Sequence, residues 1–329
     1  MPPGALWLEP LSVLITPWRL VYFSMLRQFI YKPSHAGLAN WPQGELRLDG
    51  IEVTENPSEA DVFVCPGNIR IFCATMDSGD LQAKKLRKLP YFQGNESRHV
   101  FFDCSDYFKA AVNMPIMFIR CDVRTWMLPN DPNTLPTPWP VEDFSECISL
   151  PEGGFSADVS FHGWLSTDTR RQSSSACINN NEIRCDMATY PDFFGHIKDQ
   201  RELERRRLAH RGSMKRSRTV LCPESIPGVL PYRFFEAMSA GRVPLLVGSD
   251  YVLPFAEEID YSAFTLFCGR DDASKADIIA RDFCGQHSDP RIMDMGLLAR
   301  DAWVKHLDTR KWAELHAYAV QKHMAKVAV

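Results

Sequence analysis

TVLCPESIPGVLPYRFFEAMSAGRVPLLVGSDYVLPFAEEIDYSAF, residues 219–264, contains two short apolar runs with an amphipathic segment between them. Residues 219–222 and 243–247 are continuously apolar, which is typical of buried strands, whereas residues 231–240 have helical periodicity. A strand, a helix and a second strand in this order are typical of a parallel sheet. The stretch therefore predicts an α/β fold.

The helix of this unit follows the loop 223–230, which lies at the carboxyl ends of the two predicted strands. Pro231 suits a first helical position, and Gly241 suits a left-handed helix end. Ligands of open α/β sheets bind at this edge, and the free amides of a helix N-terminus favour a phosphate. We therefore expect an anion site here, with Gly228 as part of it.

Arg233 and Glu236 lie near the start of this helix, on one face of it. A guanidinium fork matches phosphate oxygens, and a carboxylate one turn later can accept hydrogen bonds from the diol of a ribose. The pair predicts a nucleotide-diphosphate site. An ordinary ion pair on a solvated helix is the alternative, and spacing alone does not separate the two.

Beyond this pair, the pattern R-x-x-E-A, A-G-x-V-P and D-x-x-x-P-F within residues 233–255 resembles the donor-nucleotide half of exostosin-type glycosyltransferases, family 47. VTENPSEADVFVCP (53–66) and RHVFFD (98–103) are similar to two N-terminal motifs of the same family. The three matches occur in the family's order and extend over most of the chain. The resemblance implies a GT-B fold, in which two Rossmann-like domains face each other across a cleft.

The resemblance also implies a separate function for each part of the chain. Residues 1–150 would bind the acceptor, and residues 151–305 would bind the nucleotide sugar. Residues 306–329 would form a helix that packs back on the first domain, with Trp312, Leu315 and Tyr318 as its anchors.

The implied activity is transfer of a sugar from a nucleotide-diphosphate donor, by family a UDP-sugar, to a glycan or glycoconjugate acceptor. We expect inversion at the anomeric carbon, no cofactor and no metal, since no D-x-D occurs in a suitable loop and a helix dipole with an arginine can stabilise the leaving diphosphate. Two alternatives stay open: a fucosyltransferase-like GT-B enzyme that uses a GDP-sugar, and a non-catalytic nucleotide- or glycan-binding module.

Further donor-binding candidates follow a predicted strand at residues 158–163. His162 and Gly163 end this strand at the phosphate-loop position, and Arg170 or Arg171 can neutralise phosphate charge. Asp250 follows the strand 243–247 and is placed to bind hydroxyls of the donor sugar. A hydrogen-bonded strand-end histidine is the alternative for His162, and a cap of the following turn is the alternative for Asp250.

A catalytic base is expected after the aromatic strand of the first domain. Asp103 and Asp106 follow this strand at its carboxyl end, where an inverting enzyme needs a group that takes the proton of the acceptor hydroxyl. Capping of a helix at residues 107–112 is an equally good interpretation of Asp106.

One departure from the family pattern affects the donor site. Leu230 and Pro231 occupy positions where the family has a polar Asn-Ser pair after Gly228. A serine hydroxyl contact to phosphate is thereby lost. Donor binding at this helix start should then depend on backbone amides and Arg233.

Composition excludes several classes of protein. The formal charge is −4, and the basic run 198–218 is interleaved with glutamates and lacks aromatic residues, so it predicts a solvated helix rather than a nucleic-acid site. One or two of its arginines can still face an anionic donor or acceptor.

The 10 cysteines form no C-x-x-C pair and are expected to be free thiols of a reducing compartment.

The N-terminal 29 residues are apolar but are interrupted by Glu9 and Arg19. They fit neither a signal peptide nor a spanning helix, so a cytoplasmic protein is expected. The favoured interpretation is a segment packed on the first domain. The alternative is an apolar surface in peripheral contact with a membrane, formed by Trp7, Leu8, Trp18, Val21, Tyr22 and Phe23.

Overall fold

The computed structural model describes residues 26–31, 51–68, 79–103, 112, 114–121, 123–129, 133–192, 196–311, 314, 316–317, 320–321 and 324. These residues form two sheets, and every strand pair in both sheets is parallel. The predicted α/β class with two parallel-sheet units, as a GT-B fold requires, is confirmed.

The first sheet contains β1 (Arg27–Ile30), β2 (Glu52–Val53), β3 (Val62–Asn68), β4 (His99–Asp103), β5 (Met117–Arg120) and β6 (Thr134–Pro136), in the order β2-β1-β3-β4-β5-β6. The second contains β7 (Ala157–Trp164), β8 (Cys185–Tyr190), β9 (Ser217–Pro223), β10 (Val243–Val247) and β11 (Leu266–Cys268), in the order β11-β10-β9-β7-β8. The described α-helices are α1 (Gly79–Leu86), α2 (Asp168–Asn179), α3 (Gln200–Arg216), α4 (Tyr232–Ser239), α5 (Ala276–Gln286) and α6 (Asp289–Ala302).

The second sheet is buried on both faces. Leu221 of β9 is opposite Leu245 of β10, and both contribute to a core that contains Ala280 of α5. Val220 and Leu246 point to the other side, into a core built on α4. This burial explains why both strands are continuously apolar in sequence rather than alternating.

Helix α4 starts one residue later than predicted. Pro231 is its N-cap, with an extended backbone, and the first helical residue is Tyr232. Gly241 has the left-handed conformation predicted for it, with φ of 64°. The α4 end packs tightly on α6, because a Cβ added to Gly296 would overlap the Gly241 carbonyl oxygen.

The sequence predicts an extended loop or linker for the proline-rich segment 126–144, but parts of it form a strand and buried contacts. Residues 134–136 form β6 at the edge of the first sheet. Further along, Trp139 is buried in the core built on α4, where its Nε1 donates to the Leu230 carbonyl oxygen over 2.9 Å. The Phe144 amide donates to Ser239 Oγ over 2.9 Å. The segment therefore connects β6 to the second sheet through buried contacts.

The C-terminal residues contact the first sheet. Ala317 and Val320 are buried in one cluster with Val100 and Ile119. The imidazole of His316 is 2.8 Å from Thr137 Oγ1. The three predicted anchors, Trp312, Leu315 and Tyr318, lie outside the described residues, as do the N-terminal aromatic residues discussed above.

The sequence also predicts one strand over residues 259–267 and a helix over residues 297–307, and the structure corrects both. Within 259–267, a 3₁₀ turn (Tyr261–Ala263) precedes the short β11. The helix α6 begins earlier, at Asp289, and is followed by a π-helical turn (Trp303–Leu307). Edge strand β8 is only partly buried and lacks a clear apolar run, so its sequence gave no strand pattern.

Eight cysteines are free thiols in the part of the chain that the structure describes: Cys65, Cys121, Cys147, Cys177, Cys185, Cys222, Cys268 and Cys284. The same part of the chain contains no helix with the length and apolarity needed to cross a membrane.

Candidate functional site

A cavity of about 560 Å³ opens at the carboxyl end of β7, and we call it the β7 cavity. Its walls come from the ends of β7 and α4, one face of α3 and the segment 140–144. The lining residues are Pro140, Val141, Glu142, Phe144, Gly163, Trp164, Arg170, Ile197, Gln200, Leu203, Arg207, His210, Arg211, Tyr232, Arg233 and Glu236.

The charged groups of the β7 cavity are mostly cations. Four arginines (Arg170, Arg207, Arg211 and Arg233) line it against two glutamates (Glu142 and Glu236). The negative charge of Glu142 is neutralised by an ion pair with Arg211. The remaining excess of positive charge in a concave site favours an anionic ligand.

Arg233 reaches the floor of the cavity with few protein partners. Its Nη2 donates to the His162 carbonyl oxygen, and its guanidinium lies over the Phe161 ring at 4.3 Å from the centroid. Among the described residues Nε has no hydrogen-bond partner and no carboxylate pairs with the group. Gly163 makes room for it, since a Cβ there would lie 2.9 Å from Arg233 Nη2.

Arg170, on the first turn of α2, lies near Arg233. Its Nη1 donates to the Trp164 carbonyl oxygen over 3.0 Å, and its Nε has no partner among the described residues. Burial, together with the charge of Arg233, lowers the pKa of Arg170 to about 9. Two neighbouring cations without a carboxylate between them destabilise each other, and an anion bound between them would relieve that repulsion.

Glu236 does not pair with Arg233, although the i, i+3 spacing allows it. Its Oε2 lies 3.0 Å from Nε2 of His210, a buried residue of α3. Burial favours the neutral acid, but His210 and Arg233 hold the pKa of the Glu236 carboxyl below its ordinary value. The group is therefore ionised at neutral pH, and Oε1 accepts no hydrogen bond from the described residues.

The imidazole of His162 is turned away from the cavity. Its Nε2 is 2.9 Å from Asp186 Oδ1, and the other oxygen of Asp186 accepts from Arg216 over 2.7 Å. Burial lowers the pKa of His162 despite this carboxylate. The hydrogen-bonded strand-end interpretation describes its side chain, while its carbonyl oxygen holds Arg233.

Gly228 and Asp250 lie together, apart from the β7 cavity. A Cβ on Gly228, whose φ is 80°, would lie 3.3 Å from the Asp250 carbonyl oxygen. The carboxylate of Asp250 pairs with Arg270 at 3.0 Å rather than capping a turn. Arg270 also binds the buried Glu224, which accepts from the Gly228 amide over 3.1 Å. This network fixes the loop that leads into α4.

The start of α4 has no polar capping side chain, as the sequence predicted. Leu230 and Pro231 are buried, and no side chain caps the first turn. Tyr232 stacks on Trp139 with 4.5 Å between ring centroids. At the start of α4, an anion could therefore be bound by the backbone amides and by Arg233.

The two candidate bases, Asp103 and Asp106, belong to the carboxyl end of β4 and the loop that follows it. Asp103 is the last residue of β4, where its backbone is opposite Arg120 of β5. Asp106 lies outside the described residues. The structure therefore describes the carboxyl end of β4, on which both predictions depend, and both assignments stay predictions.

One face of α3 lines the cavity, and it was not among the predicted site residues. Gln200, Leu203, Arg207, His210 and Arg211 all line the cavity, and their spacing is that of one helical face. The pattern was visible within the basic run. The charges indicated a solvated helix with one or two arginines able to face an anionic ligand, which did not identify this face.

No group of three or more histidine, cysteine, aspartate or glutamate side chains is arranged to hold a metal within the described ranges. The cavity's own charges are those of the arginines and glutamates already described.

Comparisons with known proteins identify the family by sequence. The family described as Exostosin GT47 domain matches residues 43–283, which is more than half of the chain. No curated protein sequence matches.

Two solved structures of Anabaena Alr3699/HepE are similar in fold over 92% of this chain and 99% of theirs. The one in complex with UDP and glucose has 11% sequence identity and a TM-score of 0.43. The one in complex with UDP has 10% identity and a TM-score of 0.41.

Proposed function

This chain belongs to the exostosin GT47 family of glycosyltransferases, and we propose that the β7 cavity binds the nucleotide diphosphate of its UDP-sugar donor. The observation that carries the proposal is the pair Arg170 and Arg233, two adjacent guanidiniums without a carboxylate partner. A diphosphate supplies the missing negative charge and accepts hydrogen bonds from both forks. The cavity volume of about 560 Å³ is within the usual range of small-molecule sites.

The rest of the cavity supports a nucleoside beside the diphosphate. Glu236 presents a free carboxylate oxygen to the ribose hydroxyls. Ile197 and Leu203 offer an apolar wall for a base, and the Gln200 amide carries both a donor and an acceptor. A uracil edge presents the complementary acceptor and donor.

The proposed reaction is a single inverting displacement. The acceptor hydroxyl oxygen attacks the anomeric carbon, the bond from that carbon to the diphosphate oxygen breaks, and UDP leaves with the electron pair. Asp103 or Asp106, at the carboxyl end of β4, is the candidate that takes the hydroxyl proton. Arg170 and Arg233 stabilise the charge that develops on the diphosphate, so we propose metal-independent transfer. The acceptor is a glycan or glycoconjugate.

Calorimetric titration of the purified chain with UDP, GDP and uridine tests the donor assignment. We expect UDP to bind more tightly than GDP, and uridine to bind at least about 10-fold more weakly than UDP because it lacks the charged diphosphate contacts. Tighter binding of GDP would favour the fucosyltransferase-like alternative. Equal affinity for UDP and uridine would remove the diphosphate site.

Donor hydrolysis or transfer by Glu236→Ala tests the ribose contact. We expect the variant to lose at least about 10-fold in kcat/KM for the UDP-sugar, since a hydrogen bond to a charged group is lost. Glu202→Ala is the matched control, because Glu202 is also a helical glutamate but pairs with Arg205 and Arg206 outside the cavity. Unchanged kinetics of Glu236→Ala would show that the nucleotide binds elsewhere.

A further inference from the structure

We infer that His210 is the positioning residue for ribose recognition: it holds the Glu236 carboxylate toward the ribose and away from Arg233. The inference rests on the proposed function, which puts the donor ribose against Glu236. It extends that function by assigning the selection of a ribose diol to a side chain of α3 that acts through Glu236.

The contact between the two side chains is specific. His210 is 5% exposed, and its Nε2 lies 3.0 Å from Glu236 Oε2. An ionised carboxylate only accepts, so Nε2 carries the proton and donates it. No described residue bonds Oε1 of Glu236. One oxygen is therefore fixed and the other is available to a ligand.

The competing partner of Glu236 is on its own helix. Arg233 lies one turn earlier, at the spacing at which opposite charges usually pair, yet no ion pair within 4 Å forms between them. A free glutamate side chain would swing toward that guanidinium. Such a movement would remove the ribose acceptor and would also neutralise the cation that the diphosphate needs.

His210 can resist this movement because its own position is fixed. It is buried on α3, and its carbonyl oxygen accepts from Ser213 Oγ over 2.8 Å within the same helix. A rigid imidazole loses little conformational freedom when it holds a longer, flexible side chain. The hydrogen bond between α3 and α4 thus selects one rotamer of Glu236 before the nucleotide arrives.

The test is a matched pair of variants, His210→Gln and His210→Asn. Glutamine keeps a side-chain N–H at the position of histidine Nε2, whereas asparagine keeps one only at the position of Nδ1, which has no partner among the described residues. Dissociation constants for UDP and for 2′,3′-dideoxyuridine diphosphate are measured for each protein by calorimetry. The ratio of the two constants reports recognition of the diol.

We expect wild type to prefer UDP by at least about 10-fold, as a hydrogen bond to a charged group predicts. His210→Gln should keep most of this preference, and His210→Asn should bring the ratio close to one. The ratio does not depend on the folded fraction of a sample, so partial unfolding of a variant does not obscure it.

The outcomes separate this inference from the proposed function. If wild type prefers UDP and His210→Asn keeps the full preference, the role of His210 is wrong and the nucleotide site stands. If wild type fails to bind UDP, the proposed function is wrong and the inference falls with it.

Discussion

Replacing Arg233 by methionine should weaken UDP binding strongly and change stability little. Arg233 is a partly buried cation whose protein contacts are one hydrogen bond to the His162 carbonyl oxygen and the face of Phe161. Its Nε is unpartnered and no described carboxylate pairs with it. Methionine keeps the apolar stem and makes a favourable sulfur contact with an aromatic ring.

The two effects can be estimated separately. The lost ring contact is worth about 0.5–2 kcal/mol, and relief from burying a poorly paired cation offsets it, so the unfolding free energy should stay within about 1 kcal/mol of wild type. Hydrogen bonds to a charged group contribute about 1.5–3 kcal/mol, which corresponds to a loss of about 10- to 150-fold in UDP affinity. Burial and the charge of Arg233 together lower the pKa of Arg170 to about 9. Removing the charge of Arg233 should therefore raise the pKa of Arg170.

Arg206→Met is the matched control. Arg206 also lies over an aromatic ring, Tyr190, at 4.4 Å, but it pairs with Glu202 at 2.6 Å and is not part of the cavity lining. This variant should lose up to about 1 kcal/mol of stability and keep full UDP affinity. Urea denaturation and calorimetry measure the two quantities. Loss of more than about 3 kcal/mol in Arg233→Met, with UDP affinity intact, would refute the assignment and make Arg233 structural.

Two further predictions concern stability. Gly296→Ala should destabilise the chain by at least about 2 kcal/mol in urea, because its Cβ would overlap the backbone of Gly241. Gly212→Ala, the matched helical control, meets only the flexible end of a side chain and should stabilise by up to about 1 kcal/mol; equal effects would refute the packing argument. Burial lowers the pKa of His99 from 6.5 to about 4. Between these two pH values the unfolded chain binds a proton at His99 that the folded chain does not. The unfolding free energy should therefore fall by up to about 3 kcal/mol as the pH drops from 6.5 to 4. His99→Phe should flatten this slope in urea melts at several pH values, and an unchanged slope would contradict it.

Much of the central fold was predictable because it depends on local periodicity. The strands at 219–222 and 243–247 and the helix between them were found within two residues of the observed β9, α4 and β10. Continuous apolar runs indicate that a parallel strand is buried on both faces, and Gly241 indicates a helix end in the left-handed conformation. Edge strand β8 was missed because it is half-buried and has neither pattern.

The candidate site was predictable only in part. The sequence placed Gly163 and Arg170 apart from the helix that carries Arg233 and Glu236, and the structure brings all four to one cavity. It also directs Asp250 to Arg270, 20 residues away along the chain. Residue type and spacing do not report such partners, since each depends on how two elements pack.

The sequence by itself determined the family, the α/β class and the strand-helix-strand unit at residues 219–264, because motif order and periodicity are properties of the chain taken locally. Only the tertiary structure decided which side chain Glu236 contacts. The sequence offered Arg233, one turn away, as its partner, but the packing of α3 on α4 places His210 at 3.0 Å from it instead. The difference arises because a hydrogen bond between helices depends on their relative position, and the two residues are 26 positions apart along the chain.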